Sequence, residues 1–350
     1  MVQRDAISLE ELAARDNLLL AVWKAARGKR RRPAVARYLD DVEARLEVLA
    51  RDILEERAPQ GHVRRFGICD PKPRIVTAVC FADRVLHHAI LNRAEARFER
   101  MAVASCYACR PGKGVHAAVR AAQRNLQCWP WFVQVDVDGY FPSIDHALLK
   151  ALLARRFKGA GFLALLGRII DMGVVATPGR GLPIGALTSQ HFANAYLDSA
   201  DRMLLASDGV RAHVRYMDDI VWWCESRADA LRTLDALRDF LWRERRLRLK
   251  PKVRIARSPQ GLTYCGFRVR PGVVLASSRK LSRYRAGMQR IDMALGAGSV
   301  DVVQAQRAHD GLLATLHGSQ TLGFRRRLLA TPDDNGGIYG YAVAPGWESL

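Results

Sequence analysis

The chain has 350 residues, of which 49% are hydrophobic, so it can bury a large core and is expected to form more than one lobe. Lysine and arginine outnumber aspartate and glutamate by 55 to 35, and the net charge of +20 predicts a polyanionic partner, most often nucleic acid, with an anionic membrane surface as the alternative. No apolar run approaches the roughly 18 residues of a spanning helix, and the N-terminus lacks the pattern of a secretory signal, so we interpret the chain as cytoplasmic, with no membrane partner.

Residues 1–60 are predicted to form a helical and basic N-terminal extension. Apolar residues recur at steps of three and four from Val35 to Ile53, as on one face of an amphipathic helix. The preceding run, Lys29-Arg30-Arg31-Arg32, is either a solvated loop or a phosphate contact, and the net charge of the chain favours the contact.

A short hairpin that carries two cations is predicted beyond a break at Pro59-Gln60-Gly61. The stretch from Arg64 to Val76 contains two short strands around a proline-rich turn, and Lys72 and Arg74 belong to it. Cations presented on a hairpin in this way can bind a triphosphate.

The rest of the chain is predicted to mix helices with strands. A glycine- and cation-rich loop from Tyr107 to His116 lacks the spacing of a Walker nucleotide cradle. The predicted helices are Asp83–Phe98, Ser189–Leu205 and Arg227–Leu247, and His146–Val175 and residues 278–329 are predicted to be mainly helical. The predicted strands are Trp129–Val137, a hairpin at His213–Trp223 and two or three strands within Arg248–Val269.

Three aspartates are the candidate catalytic residues. Asp218 and Asp219 lie at the tip of the hairpin, where their mutual repulsion is costly unless a cation compensates it. Asp136 lies in an apolar strand, where an unpaired carboxylate is also costly. Three carboxylates from two strands can hold two Mg²⁺ ions, which could activate a 3′-hydroxyl and stabilise the leaving pyrophosphate. The alternatives are a plain acidic turn for Asp218-Asp219 and a cap for Asp136.

These residues resemble the palm of a reverse transcriptase. Tyr216-Met217-Asp218-Asp219 follows an upstream Asp136 and the bulky Phe141, and the surrounding blocks come in the order of that family over residues 64–270. The resemblance implies an α+β right-hand polymerase with fingers at 61–130, a palm with a ferredoxin-like sheet at 131–270 (including an insertion near 146–180), and a helical thumb with a tail at 271–350.

The resemblance also implies roles for individual residues. The metal ligand set would comprise Asp136, Val137, Asp218 and Asp219, binding two Mg²⁺ ions. A lysine would protonate the pyrophosphate, and we favour Lys252 over Lys250. The residues implied to bind the dNTP are Lys72, Arg74, Phe141, Ile184, Gly185 and Gln190. Phe141 would pack under the incoming sugar and exclude a 2′-hydroxyl, although core packing is the ordinary role of such a residue.

The segment from Gly181 to Gln190 indicates a subfamily. Ile184 and Gln190 stand where most reverse transcriptases carry Gln and Pro, and this variant resembles the enzymes of diversity-generating retroelements, with a departure at Ala186. That resemblance implies copying of a template RNA into adenine-mutagenised cDNA through an RNA/cDNA duplex, and a small, basic, ring-forming accessory variability protein as partner. A branched aliphatic side chain at Ile184 cannot hydrogen-bond to the nascent pair, which would loosen fidelity.

Three alternatives stay open at this point. The chain could be a retron or phage-defence reverse transcriptase, which shares the palm but usually differs around Ile184 and Gln190. It could be a basic nucleic-acid-binding protein with a degenerate polymerase fold, although all three aspartates are present. An RNA-dependent RNA polymerase is disfavoured by Phe141.

Overall fold

The computed structural model describes residues 4–69, 73–172 and 177–330, with the side chains of residues 73, 74, 329 and 330 outside that description. It mixes helices and strands, which confirms the predicted α+β class. The chain divides into two compact units. The first contains the residues up to Gly114 together with Val133–Ile255, and the second contains Val115–Phe132 together with the described residues from Ala256 onward. The four sequence-based regions are a functional division and stay a prediction.

The first unit begins with short helices. They follow strand β1 (Asp5–Ala6) and are α1 (Leu9–Ala13), α2 (Arg15–Ala26), α3 (Pro33–Leu39) and α4 (Val42–Leu54). Ser8 and Glu11 form a capping box that starts α1, and Pro33 occupies the first turn of α3, where its missing N–H has no helical partner. The stripe predicted on one helix from Val35 to Ile53 is divided between two: Val35 is buried on α3, and Leu46, Leu49 and Ile53 are buried on α4. The helical prediction is therefore confirmed, but the single helix was wrong, because the chain turns at residues 40–41.

A two-stranded ribbon and a long helix come next. Strands β2 (Val63–Cys69) and β3 (Pro73–Val79) pair antiparallel, which confirms the predicted hairpin, and helix α5 (Phe81–Met101) follows. The turn with Lys72 lies outside the described residues.

Four strands from the middle of the sequence form one sheet. Its strands are β4 (Trp131–Asp136), β6 (Val210–Tyr216), β7 (Asp219–Cys224) and β8 (Arg254–Arg257), in the spatial order β6-β7-β4-β8. Helix α10 (Leu187–Ala206) lies between β4 and β6 in the chain, and α11 (Arg227–Arg245) lies between β7 and β8. The connectivity is therefore strand–helix–strand–strand–helix–strand, the ferredoxin-like pattern.

An insertion separates β4 from α10. It contains α7 (Tyr140–Ser143), α8 (His146–Ala154), β5 (Phe157–Lys158), which pairs in parallel with β1, and α9 (Ala160–Asp171). The core of the first unit includes large, fully buried side chains from the sheet and the helices against it, among them Trp222, Tyr196, Phe192 and Phe162. In the described part of the chain no helix is both long and apolar enough to cross a membrane.

The second unit is helical around a small sheet. It contains α6 (Val115–Cys128), a 3₁₀ turn (Ser258–Gln260), strands β9 (Leu262–Tyr264), β10 (Phe267–Arg270) and β11 (Val273–Ala276), and helices α12 (Ser278–Gly296), α13 (Val302–Thr315) and α14 (Leu322–Ala330). Ala276, Tyr284, Met288 and Leu316 form a small core of their own. The helices predicted for this segment are confirmed, as are the strands between residues 248 and 269.

Candidate active site

The paired aspartates lie at the tight turn between β6 and β7. Tyr216 pairs with Asp219, so only Met217 and Asp218 form the turn. Met217 has a φ of 55°, a left-handed conformation that costs a non-glycine residue roughly 1–2 kcal/mol. The surrounding structure must therefore hold this turn in place.

Asp136 lies at the end of β4, directly beside that turn. The Val137 N–H donates to the carbonyl of Asp218 at 3.3 Å. The side-chain amide of Gln134 donates to Asp219 Oδ1 at 3.2 Å. Because β4 is the neighbour of β7 in the sheet, the structure brings all three predicted carboxylates together at one end of these two central strands, close enough to affect one another electrostatically.

The proximity of the carboxylates changes their titration. Burial, followed by the charge of Asp136, raises the pKa of Asp218 to about 6. Burial also raises the pKa of Asp219 to about 7. The hydrogen bond from Gln134 lowers this pKa, and the charge of Asp136 raises it further. Both carboxyl groups would ionise more readily next to a cation, because an opposite charge stabilises the ionised form.

Lys250 is the cation that the structure brings to this cluster. Its ammonium nitrogen lies 2.6 Å from Asp136 Oδ1. Its backbone N–H donates to the Asp136 carbonyl at 2.8 Å, and Leu249 forms an antiparallel bridge with Val137. Lys252, which the sequence favoured as the proton donor, is exposed, and that role stays a prediction.

The donor chemistry of the cluster fits a hard divalent cation. Its three side chains offer carboxylate oxygens, which Mg²⁺ prefers, and the buried Asp136 Oδ1 lies 2.6 Å from the Lys250 ammonium nitrogen. Over the described ranges, however, no group of three or more Asp, Glu, His or Cys is spaced to enclose a metal ion. The ammonium of Lys250 compensates Asp136 in this arrangement.

A buried ion pair lies next to the turn between β6 and β7. The Arg215 guanidinium donates to both oxygens of Asp201, with shortest distances of 2.7 Å, and to Asn194 Oδ1 at 3.1 Å. It also donates to the carbonyl of Met217 at 3.0 Å, so it holds the left-handed residue of the turn. Arg215 and Asp201 are both 0% exposed.

Electrostatics keep both partners of this pair charged. Burial alone would lower the pKa of Arg215, but the negative charge of Asp201 has the larger effect, so the pKa of Arg215 lies above its usual range. Burial would raise the pKa of Asp201, but Arg215 holds it below its usual range. The sequence analysis missed this pair. The available signal was an arginine between Val214 and Tyr216 in an otherwise apolar strand.

The loop before α6 is fixed to the same strand. Arg215 N–H donates to the Ser105 carbonyl at 2.9 Å, and Tyr107 N–H donates to the Arg215 carbonyl at 2.9 Å. His213 contacts Ser105 Oγ at 2.8 Å from one side of its ring. Strand β6 is therefore held by hydrogen bonds to this loop as well as by the ion pair between Arg215 and Asp201.

The predicted dNTP residues lie in three places. The carbonyl of Ile184 accepts from Thr77 N–H of β3 at 2.8 Å, and Gly185, with a φ of 114°, lies so close that an added Cβ would be 2.9 Å from the Thr77 carbonyl oxygen. Gln190 Oε1 lies 3.2 Å from Cys109 Sγ. Phe141 is half-buried on α7. Lys72 lies outside the described residues, and only the backbone of Arg74, in β3, is described.

The fold and the carboxylate cluster agree with the class of template-directed polymerases that the sequence predicts. A comparison with known families gives the particular family. Residues 69–269, more than half of the chain, match the family described as reverse transcriptase (RNA-dependent DNA polymerase). The chain belongs to this family.

Known proteins with related sequences are consistent with this assignment. Protein YkfC of Escherichia coli is 28% identical over 193 residues, which cover 50% of this chain and 48% of YkfC. The group II intron-encoded protein LtrA of Lactococcus lactis is 26% identical over 151 residues, which cover 41% of this chain and 25% of LtrA. An uncharacterized 91 kDa protein in the cob intron of Schizosaccharomyces pombe is 28% identical over 128 residues, 35% of this chain and 16% of that protein. The chain spans about half the length of the first relative and less of the others.

Proposed function

We propose that the chain is an RNA-directed DNA polymerase that joins dNTPs to a cDNA end on an RNA template. The observation that carries the proposal is the proximity of Asp136, Asp218 and Asp219 at one end of the central strands β4 and β7, supported by the family match. In this proposal the three carboxylates, with Val137 beside them, hold two Mg²⁺ ions. The bound ions would supply charge neutralisation for nucleotidyl transfer.

The other predicted residues take their roles around this centre. Lys252 or Lys250 donates a proton to the pyrophosphate, and the contact between Lys250 and Asp136 supports Lys250 as a candidate. Phe141 excludes a 2′-hydroxyl. The remaining predicted residues orient the dNTP and its triphosphate: Ile184, Gly185, Gln190, Lys72 and Arg74. In this scheme residues 61–130 form the fingers, 131–270 the palm, 271–350 the thumb and tail, and 1–60 a basic extension.

Primer extension on an RNA template tests the proposal. Asp218→Ala should abolish dNTP incorporation while RNA binding persists, because only the metal-binding carboxylate is removed. Asp208→Ala is the matched control, since Asp208 is an exposed aspartate just before the other end of β6. Incorporation by Asp218→Ala near the level of the unaltered chain would refute the metal assignment.

We further propose that the enzyme makes adenine-mutagenised cDNA to diversify a target gene, together with a small basic accessory protein. The segment that contains Ile184 and Gln190 supports this role. Ile184→Gln should improve fidelity opposite template adenines, and an unchanged error spectrum would contradict the idea. A template and variable repeat pair with adenine-specific mismatches should lie beside the gene.

A group II intron-type role is the second candidate function. It is favoured by the related proteins, since LtrA is named as a group II intron-encoded protein. Intron sequence flanking the gene, in place of a repeat pair, would support this candidate. A retron or phage-defence role would be indicated if neither were found.

A further inference from the structure

A groove in the first unit lies between the last turns of α11 and the segment that follows it. Its volume is about 420 Å³, and its lining includes Arg238 and Trp242 from the helix and Arg248, Lys250 and Pro251 from the segment. This volume is within the range of sites that hold small ligands. The groove is therefore large enough to accept a group of the size of one nucleotide.

Trp242 is the principal apolar surface of this groove. It is 54% exposed, and the guanidinium carbon of Arg248 lies 4.6 Å from the centroid of its ring. The cation restrains the indole, but more than half of the residue remains open to solvent. An indole in this state offers a flat face on which another ring can stack.

One wall of the groove is bonded to the candidate active site. Leu249 bridges Val137, and the N–H of Lys250 donates to the Asp136 carbonyl at 2.8 Å. The Lys250 ammonium also contacts the Asp136 carboxylate at 2.6 Å. A polymer seated in the groove would therefore run close to the three aspartates.

The charge around the groove favours a polyanion. Three cations line it, Arg238, Arg248 and Lys250, against one carboxylate, Asp239. Arg248 and Lys252 are exposed at the segment side. Cations interleaved with an exposed aromatic residue are the combination with which proteins bind single-stranded nucleic acids.

We propose that this groove binds an unpaired nucleotide of a single-stranded polynucleotide, with its base on Trp242 and its phosphate near Arg248. The inference rests on the proposed function only in taking a polynucleotide as the substrate class. The strand must be unpaired, because the bases of a duplex stack on one another and do not offer their faces to the indole.

Fluorescence anisotropy with a labelled 12-nucleotide oligouridylate tests the proposal without Mg²⁺ or dNTPs. Trp242→Ala should weaken binding by about 5- to 150-fold, the usual effect of losing one base–aromatic stack, and Trp242→Phe should retain most of it. Arg248→Gln should reduce the slope of log K against log salt by about one. Binding of a blunt-ended duplex should not change in Trp242→Ala.

Trp23→Ala is the matched control. Trp23 is 52% exposed and also lies against an arginine, with the Arg27 guanidinium carbon 5.9 Å from its ring centroid, but it belongs to α2. The proposal is overturned if Trp242→Ala binds the oligomer as tightly as the unaltered chain, or loses no more affinity than Trp23→Ala. The proposal is also overturned if Trp242→Ala weakens the binding of a labelled acidic peptide but leaves the affinity for the oligomer unchanged. That result would assign the groove to a protein partner.

The assay separates this inference from the proposed function. If the unaltered chain fails to extend a primer but loses oligomer binding through Trp242→Ala, the polymerase proposal fails and the groove assignment stands. If primer extension occurs and Trp242→Ala leaves oligomer binding unchanged, only the groove assignment fails. Equal unfolding midpoints in urea for Trp242→Ala and the unaltered chain would show that the variant is folded.

Discussion

Removal of the Arg215 side chain should affect catalysis separately from stability. The guanidinium neutralises the buried Asp201 and also holds the carbonyl of Met217, the strained residue next to Asp218. Arg215→Met leaves the buried Asp201 carboxylate without its guanidinium partner and with the His213 Nε2 atom 3.3 Å away, so we expect a loss of about 3–5 kcal/mol in the free energy of unfolding. It also releases the turn, whose left-handed residue would then relax.

The double variant Arg215→Met/Asp201→Leu distinguishes the two roles. Replacing both members of a buried ion pair with apolar side chains is often neutral or stabilising, so most of the lost stability should return. The bond to Met217 is still missing, and misplacement of a catalytic group by about 1 Å can cost on the order of 10²-fold in rate. We therefore expect kcat to stay low while KM for the dNTP changes little.

Urea unfolding and steady-state primer extension measure these two quantities. The control is Arg211→Met, because Arg211 lies on the same strand in an exposed pair with Glu225, which should contribute less than about 1 kcal/mol. Recovery of both stability and kcat in the double variant would refute the positioning role and leave Arg215 a purely structural residue. Failure of the double variant to fold would contradict the expected energetics of the pair.

Three further predictions follow from described contacts. Lys250→Met should lower Tm in the absence of Mg²⁺, because Asp136 loses the ammonium group that compensates its charge. Added Mg²⁺ should then raise the Tm of this variant more than that of the unaltered chain, and an equal rise would contradict the idea that Lys250 and Mg²⁺ compete for Asp136. Burial lowers the pKa of His191 to about 4, whereas in the unfolded chain its pKa is about 6.5, so below pH 6.5 the unfolded chain binds more protons than the folded chain. This histidine should therefore lower the free energy of unfolding, measured in urea, by about 2 kcal/mol between pH 7 and pH 5, and His191→Gln should make that decrease smaller. Gly185→Ala should lower the free energy of unfolding by about 1–3 kcal/mol and raise KM for the dNTP, because the added Cβ would clash with the Thr77 carbonyl oxygen. Gly179→Ala is the control for backbone strain alone, because Gly179 has a φ of 72° and no atom lies within 4 Å of the added Cβ.

The sequence predicted the parts of the site that local patterns encode. Apolar runs on both sides of Asp218-Asp219 predicted the hairpin, and alternation around Asp136 predicted the strand that lies beside it. These signals depend on neighbouring residues in the chain, so they could be read without knowledge of the packing. The amphipathic stripe of α4 is of the same kind.

Other features depend on contacts that no local pattern contains. The partner of Arg215 is on α10, and its identity requires the packing of that helix on β6. Likewise, Lys250 rather than Lys252 meets Asp136 because Leu249 bridges Val137, a register between distant segments. Helix α11 ends at Arg245 because Arg246 takes a φ of 54°, although no glycine marks that end.

The interleaved division into two units was also beyond sequence reasoning. Helix α6 groups with the segment from Ala256 onward, although more than a hundred residues separate them in the chain. Hydrophobic periodicity predicts that such a helix has a buried face but does not say which segment covers it.

The most direct test of the carboxylate centre is backbone cleavage by hydroxyl radicals from Fe²⁺ bound in place of Mg²⁺. We expect cuts at two separated segments, around Asp136 and around Met217 to Asp219, both suppressed by excess Mg²⁺ and both lost in Asp218→Asn. Cleavage at only one of these segments, or cuts that persist unchanged in Asp218→Asn, would show that the three aspartates do not share a metal.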